Sequence, residues 1–176
     1  MRQLKREIVG LSDDYLAEVV AIYQRIWLEP PWLEFNWKTD AVAKYLAGII
    51  PEKKGLVYTV LMDGKVAGFT AGWPIDRYEF YAQSGTKIAN FFVDQEPAFY
   101  IAELGVSVPY RGRGIGHELI SSLLDAAKSQ GFNRFALRTH VYAEPARRLY
   151  RRLGFHETSI CHIRYPNRTY WVRLDC

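Results

Sequence analysis

Three glycines at alternate positions, Gly112, Gly114 and Gly116, sit with Arg111 and Arg113 in the stretch Tyr110-Arg111-Gly112-Arg113-Gly114-Ile115-Gly116. The chain then runs into His117-Glu118-Leu119-Ile120-Ser121-Ser122-Leu123-Leu124, whose apolar spacing is helical. Glycine lets a backbone approach a ligand closely and adopt positive φ. The unpaired N–H groups of a helix start, at the positive end of its dipole, attract anions. The stretch therefore predicts a phosphate-binding turn. Two common phosphate chemistries do not fit it. There is no Gly-Lys-Ser/Thr, so the loop of a phosphoryl-transfer enzyme is missing. The third glycine comes one residue too early for a dinucleotide fingerprint, and the following strand offers Arg134 with no acidic residue at its end.

The elements around this turn follow from pattern. Leu4 to Val9 reads as a strand, and Ser12 as the N-cap of a helix with Asp13 and Asp14 in its first turn. Leu11 and Leu16 have the spacing of a hydrophobic staple, and the helix must stop at Pro30-Pro31. A second helix, capped by Thr39 or Asp40, ends before Pro51. Leu56 to Met62 and Val66 to Trp73 form a hairpin across Asp63-Gly64. From Pro74 to Pro97 the pattern is poor, and an irregular excursion with room for a short helix is expected. Phe99 to Val108 is a strand whose interior Gly105 marks a bulge or a close approach. The helix after the glycine turn stops at Gly131, and Phe132 to His140 is a strand. A helix opened by Pro145 ends at Gly154; strands follow at 155–163 and, after a turn at Pro166-Asn167, at 170–174. The order βααββ, βαβα, ββ predicts one mixed α/β domain over 1–176.

Arg111-x-x-Gly114-x-Gly116, between a strand and a helix, resembles the acyl-CoA signature of the GNAT superfamily of N-acyltransferases. Ala102-Glu103-Leu104-Gly105-Val106-Ser107-Val108 resembles that family's bulged fourth strand. Ala146-Arg147-Arg148-Leu149-Tyr150-Arg151-Arg152-Leu153-Gly154-Phe155 resembles its later helix, with the pattern A-x-x-x-Y-x-x-x-G-F. The resemblance implies a mostly antiparallel twisted sheet of about seven strands flanked by about four helices.

It also implies a site. Backbone groups of Arg111, Gly112, Arg113, Gly114, Ile115 and Gly116 would hold the pyrophosphate of coenzyme A without a metal. Those of Val106, Ser107 and Val108 would pair with the pantetheine arm and polarise the thioester. The family often has Val-x-Pro here, whereas this chain has Val106-Ser107-Val108-Pro109, which leaves the register open by a residue or two. Deprotonating a lysine-like amine of pKa about 10.4 at pH 7 costs roughly 4.6 kcal/mol, so a general base is useful. Glu103, on the right strand, is the candidate; an exposed strand carboxylate or a partner of an arginine is the alternative. Tyr150 matches the family's general-acid tyrosine. His117 and His140 lie close by in sequence, with structural roles the simpler expectation. The family's asparagine three residues before the helix alanine is Ala143 here, so that cofactor contact is missing.

The resulting expectation is acetyl transfer from acetyl-CoA directly to a primary amine, since no cysteine in the motif blocks supports a covalent acyl-enzyme. The rival is a catalytically silent acyl-CoA-binding sensor. The acceptor would be set by residues 28–40 and 74–98, rich in aromatics such as Trp32, Phe35, Trp37, Tyr78, Phe80, Tyr81, Phe91 and Phe92. A homodimer is compatible with the family.

Composition narrows the setting. The 176 residues are 49% hydrophobic and carry a net charge of +4, ordinary for a globular domain and too mild to indicate nucleic acid. The pairs Arg147-Arg148 and Arg151-Arg152 form either a solvated helix face or a patch for an anionic cofactor. Cys161 and Cys176 fit neither a disulfide framework nor a zinc spacing, so a cytoplasmic protein is expected. No secretory signal and no run of about 18 apolar residues is seen, so no membrane partner is expected.

Overall fold

The computed structural model describes residues 5–85 and 97–175. Thirteen elements follow in order: β1 (Arg6–Gly10), α1 (Asp13–Leu28), α2 (Thr39–Lys53), β2 (Leu56–Met62), β3 (Lys65–Ile75), α3 (Arg77–Ser84), β4 (Ala98–Val106), a 3-10 turn (Val108–Tyr110), α4 (Ile115–Ser129), β5 (Arg134–His140), α5 (Glu144–Arg152), β6 (His156–His162) and β7 (Tyr165–Leu174). The seven strands form one sheet in the order β1-β2-β3-β4-β5-β7-β6. Every neighbouring pair is antiparallel except β4 and β5. This is the expected mixed α/β sheet of seven strands, with five α-helices where about four were expected.

The extra helix is α3, in the stretch whose pattern is poor. Asp76 accepts hydrogen bonds from the N–H groups of Tyr78 and Glu79, while the Glu79 carboxylate reaches back to the Asp76 N–H. The spacing Asp76-x-x-Glu79 is the capping-box signal that carries it. Other boundaries also move. α2 continues past Pro51 to Lys53, because so near the helix end proline removes a single hydrogen bond. Ser12 occupies the N-cap of α1 but its side chain makes no cap bond. Lys38, rather than Thr39 or Asp40, is the N-cap of α2. The last hairpin turns at Ile163-Arg164, before Pro166-Asn167, which sit inside β7. There the β6–β7 register breaks between Cys161 and His162, and a bulge tolerates proline.

Two layers of helices cover the sheet. α1 and α2 bury Val19, Leu46 and Ile49 against Phe69, Tyr100 and Tyr170. On the other face α4 and α5 bury Leu123, Leu124 and Tyr150 against Phe135, Phe155 and Trp171. Truncating one of these fully buried side chains to alanine costs about 2–5 kcal/mol.

Two irregularities of β4 create the site. First, its parallel pairing with β5 covers only Phe99–Ile101 against Phe135–Leu137. Beyond Ile101, β4 stays with β3 to Val106 while β5 stays with β7 to His140. The sheet therefore opens between them. Second, Ala71 pairs with Glu103 but Gly72 with Ile101, so Ala102 is an extra residue, a bulge. Without it, Tyr100, Ala102 and Leu104 would share the α1–α2 face. With it, Glu103 turns to that face and Leu104 packs on the α4 side. The bulge thus falls three residues before Gly105, which has another reason to be glycine. A Cβ there would lie 2.6 Å from Phe69 Cε1 and 3.1 Å from Ile26 Cδ1.

Candidate active site

A cavity of about 780 Å³ fills the opening between β4 and β5. Its walls are β4 from Ala102 to Val106, the glycine turn with the start of α4, the exposed side of α5, and the end of α1.

The glycine turn is shaped by backbone chemistry. Gly112 and Gly114 have φ of 73° and 80°, and a Cβ on either would meet nothing within 4 Å. Their requirement is the left-handed conformation and not space. Gly114 is the N-cap of α4. The first N–H returned to the chain is that of Glu118, bonded to the Gly114 carbonyl, so the N–H groups of Ile115, Gly116 and His117 are left to bind an anion. Arg111 is committed to the frame: its Nε donates to the Val106 carbonyl at 2.9 Å and it pairs with Glu29 at 2.7 Å.

Of the expected cofactor residues, Val106, Arg111, Gly112, Gly114, Ile115 and Gly116 line the cavity. Ser107, Val108 and Arg113 do not. The Ser107 N–H is already bonded to the Ala67 carbonyl at 2.9 Å, and Val108 begins the 3-10 turn. The Arg113 guanidinium lies over the Tyr110 ring, 5.9 Å from its centroid. The cavity-facing part of the strand is Ala102–Val106, earlier than the register expected from the sequence.

The two arginine pairs on α5 split by face. Arg147 forms a bidentate pair with Glu157, both contacts at 2.7 Å, and Arg151 lies over Trp171. Arg148 and Arg152 line the cavity. Arg147, only 11% exposed, is thus not part of a solvated face, while Arg148 and Arg152 stand where a patch for an anionic cofactor would need them. Ala143 lines the cavity where the family's asparagine is missing.

Glu103 is buried and faces the cavity. Burial is the main cause that pushes its carboxyl up to about 7, against the opposing hydrogen bond from Tyr45 and the nearby Arg138 charge. The Tyr45 hydroxyl donates to Glu103 Oε1 at 2.8 Å. Tyr150, also buried, lines the same cavity from α5, and burial raises its phenol above the ordinary value. It therefore remains a neutral donor throughout the physiological range. Glu103 and Tyr150 are brought to one space from different elements. His117 lines the cavity, its Nδ1 3.5 Å from the Ser121 hydroxyl. His140 accepts the Tyr142 N–H at Nδ1, and burial lowers its pKa, which makes it a neutral structural group.

On the α1–α2 side the lining includes Trp27, Pro31, Trp32, Arg138 and Tyr142. Trp32 stands edge-on to His140 at 5.7 Å. Behind this wall Arg168 pairs with Glu34 and stacks near Trp27, Trp32 and Tyr165. Of the aromatics expected to shape the acceptor site, Trp32 lines the cavity, whereas Phe35 and Trp37 pack on each other, 4.7 Å apart. Tyr78 and Tyr81 are exposed on α3, Phe80 is in the core, and Phe91 and Phe92 lie outside the described residues, as do Leu4 and Cys176. Tyr45, Arg138, Glu34 and Arg168 were not singled out from sequence; no local pattern marks them.

A model of the Acetyltransferase (GNAT) family matches residues 17–155. The chain belongs to the GNAT family. The match contains the bulged strand, the glycine turn and the Tyr150 helix. YycN of Bacillus subtilis, described as an uncharacterized N-acetyltransferase, is 36% identical over 66 residues, 38% of this chain and 42% of its own. N-alpha-acetyltransferase 30 of Schizosaccharomyces pombe is 39% identical over 70 residues, 40% of this chain and 47% of its own. The GNAT chain thus spans less than half the length of these two relatives. Its fold is shared with yncA of Salmonella typhimurium, solved with its cofactor acetyl-CoA: TM-score 0.69, 20% identity, 97% of this chain and 94% of that one covered. Among the described residues of this GNAT protein, no cluster of three or more His, Cys, Asp or Glu could hold a metal, and no helix is long and apolar enough to cross a membrane.

Proposed function

We propose that the protein is an N-acetyltransferase that moves the acetyl group of acetyl-CoA directly to a primary amine. One observation carries the reading: a buried carboxylate and a buried tyrosine, Glu103 and Tyr150, face the cavity into which the unpaired N–H groups of α4 open. Acetyl-CoA supplies an activated thioester and a pyrophosphate. The residues present fit it: the N–H groups of Ile115 and Gly116 suit the pyrophosphate, Arg148 and Arg152 suit further phosphate, and the unpaired edge of β4 from Ala102 to Val106 suits an amide-bearing arm.

The chain's own residues divide the proton work. Glu103, with a carboxyl pushed up to about 7, is about half ionised at neutral pH and takes a proton from the amine, directly or through water. The C–N bond forms as the C–S bond breaks, and Tyr150 offers its hydroxyl hydrogen to the departing sulfur. Sites Ala102–Val106 and 111–116, with Ser107, Val108 and Arg113 as flanking turn residues, form the cofactor frame in this reading. The chain acts as one domain, and a cytoplasmic setting goes with it, since the free thiol of Cys161 suits a reducing compartment.

The test is thiol release from acetyl-CoA dependent on an added amine, run over amines, polyamines, amino acids and peptides. Release with the wild type that Tyr150→Phe and Glu103→Gln both suppress is the expected result. Acetyl-CoA raising the melting temperature with no turnover on any amine would instead establish the sensor.

A further inference from the structure

On the α1–α2 face of the opened sheet, the charges do not balance. Ala136 packs on that face and Leu137 on the other, so strand alternation places Arg138 with Ala136, on the side of Glu103. Two arginines and two carboxylates meet there. Arg168 has its partner in Glu34. Glu103 is held by the Tyr45 hydroxyl and is half neutral near pH 7. Arg138 lines the cavity and has no carboxylate within ion-pair distance among the described residues. It is half-buried, one residue past the last β4–β5 pair. Directly opposite it in β7 stands Tyr170, whose buried hydroxyl lies beside the Arg138 guanidinium and interacts with it, short of a well-formed hydrogen bond to any described group.

A partly desolvated guanidinium that feels Glu103 only from beyond ion-pair distance is incompletely compensated, and the planar fork is matched best by a carboxylate. Phosphate has its own cradle at the start of α4, on the other side of the sheet. The remaining walls, Trp32 and Tyr142, are aromatic.

We propose that Arg138, with the Tyr170 hydroxyl beside it, anchors a carboxylate of the acceptor, so that the amine acetylated near Glu103 belongs to an amino carboxylate with an apolar body. The carboxylate comes either from a free amino acid or from an acidic first residue of a peptide. The inference rests on the acyl-transfer reading above.

A site built to hold a charged oxygen leaves its own polar groups unpaired when the analogue lacks it, which is worth about tenfold or more in kcat/KM. Thiol release is measured with phenylalanine against phenethylamine, tryptophan against tryptamine, and the tripeptide Asp-Ala-Ala. The acids are expected to exceed the matching amines by at least about tenfold, mainly through KM. Arg138→Gln is expected to erase that preference, and Arg138→Lys to retain part of it. A dominant Asp-Ala-Ala assigns the peptide source, and dominant phenylalanine or tryptophan the free amino acid. Equal use of acid and amine by the wild type, which needs no variant to fold, overturns the inference. So does an Arg138→Gln enzyme that loses both equally. Calorimetric binding of phenylalanine and phenethylamine in the presence of coenzyme A requires no turnover. Failure of the acid to bind more tightly there sinks the anchor, while thiol release on any other amine leaves the acyl-transfer reading standing.

Discussion

The Tyr45 hydroxyl, on α2, donates a hydrogen bond of 2.8 Å to Glu103 Oε1, on β4. It satisfies one oxygen of a carboxylate that burial alone would drive further toward neutrality. The bond favours the ionised form and so works against desolvation. Tyr45→Phe therefore removes a group that keeps the proposed base ionised. A hydrogen bond to a charged group is worth about 1.5–3 kcal/mol. The acid limb of the kcat/KM profile is expected to move to higher pH, and a profile across pH 5–9 checks it. A lower plateau with an unmoved limb would mean that Tyr45 only supports packing.

Replacing Glu103, the proposed base, should act on chemistry and on stability. Glu103→Gln is expected to lower kcat by about 10²–10⁴ near pH 7. The stability effect has the sign opposite to that of an ordinary salt-bridged carboxylate. Here the folded-state value, about 7, lies above the ordinary carboxylate value of 4.5. The native state binds the extra proton between these values, so wild-type stability falls as pH rises through that window, by on the order of 3 kcal/mol. Glu103→Gln should flatten this slope, as melting curves from pH 4 to 8 would show.

The proposed phosphate cradle is tested at Gly114. Its φ of 80° and open surroundings mean that alanine adds strain without a clash. That strain is worth about 1–2 kcal/mol. Gly114→Ala is expected to weaken coenzyme A binding about tenfold with little change in kcat at saturation, read by calorimetry and steady-state kinetics. Gly116→Ala differs in cause, because its Cβ would press 3.3 Å from Leu149 Cδ2.

The aromatic wall of the cavity leans on a buried ion pair. Arg168 and Glu34 expose 9% and 17% of their side chains. Glu34→Gln leaves Arg168 buried without its counterion, at a cost of about 3–5 kcal/mol. Phe35→Ala, at a position 69% exposed, should stay within about 0.5 kcal/mol. Urea denaturation of the two variants separates them, and equal effects would show that the pair contributes nothing.

Much of the fold is legible in local pattern. The Asp63-Gly64 hairpin, the stop before Pro30-Pro31, the glycine that follows α4 and the amphipathic face of α4 are each set by residues within a few positions of one another. What is not legible depends on partners. Pro166-Asn167 has turn composition, yet the turn lies at Ile163-Arg164, where the Arg164 N–H is held by His162 Nδ1 at 3.0 Å. Pro51 has the composition of a helix stop, yet α2 runs past it. Asp76-x-x-Glu79 is a local signal that a low-pattern region hides.

The sequence by itself determined the glycine turn, the bulged character of the strand before it and the tyrosine on the helix after it. Positive φ at Gly112 and Gly114 and free N–H groups at a helix start are local properties that no distant contact has to supply. Only the tertiary structure decided which way the chemistry faces. The bulge at Ala102 exists only in the register between β3 and β4, and it alone turns Glu103 toward Tyr45, 58 positions away in the chain. That Arg138 has no ion-pair partner among the described residues likewise appears only once the sheet has opened and Arg168 has taken Glu34. Burial and pairing, and with them the state of each ionisable group, are sums over neighbours that sequence order does not contain.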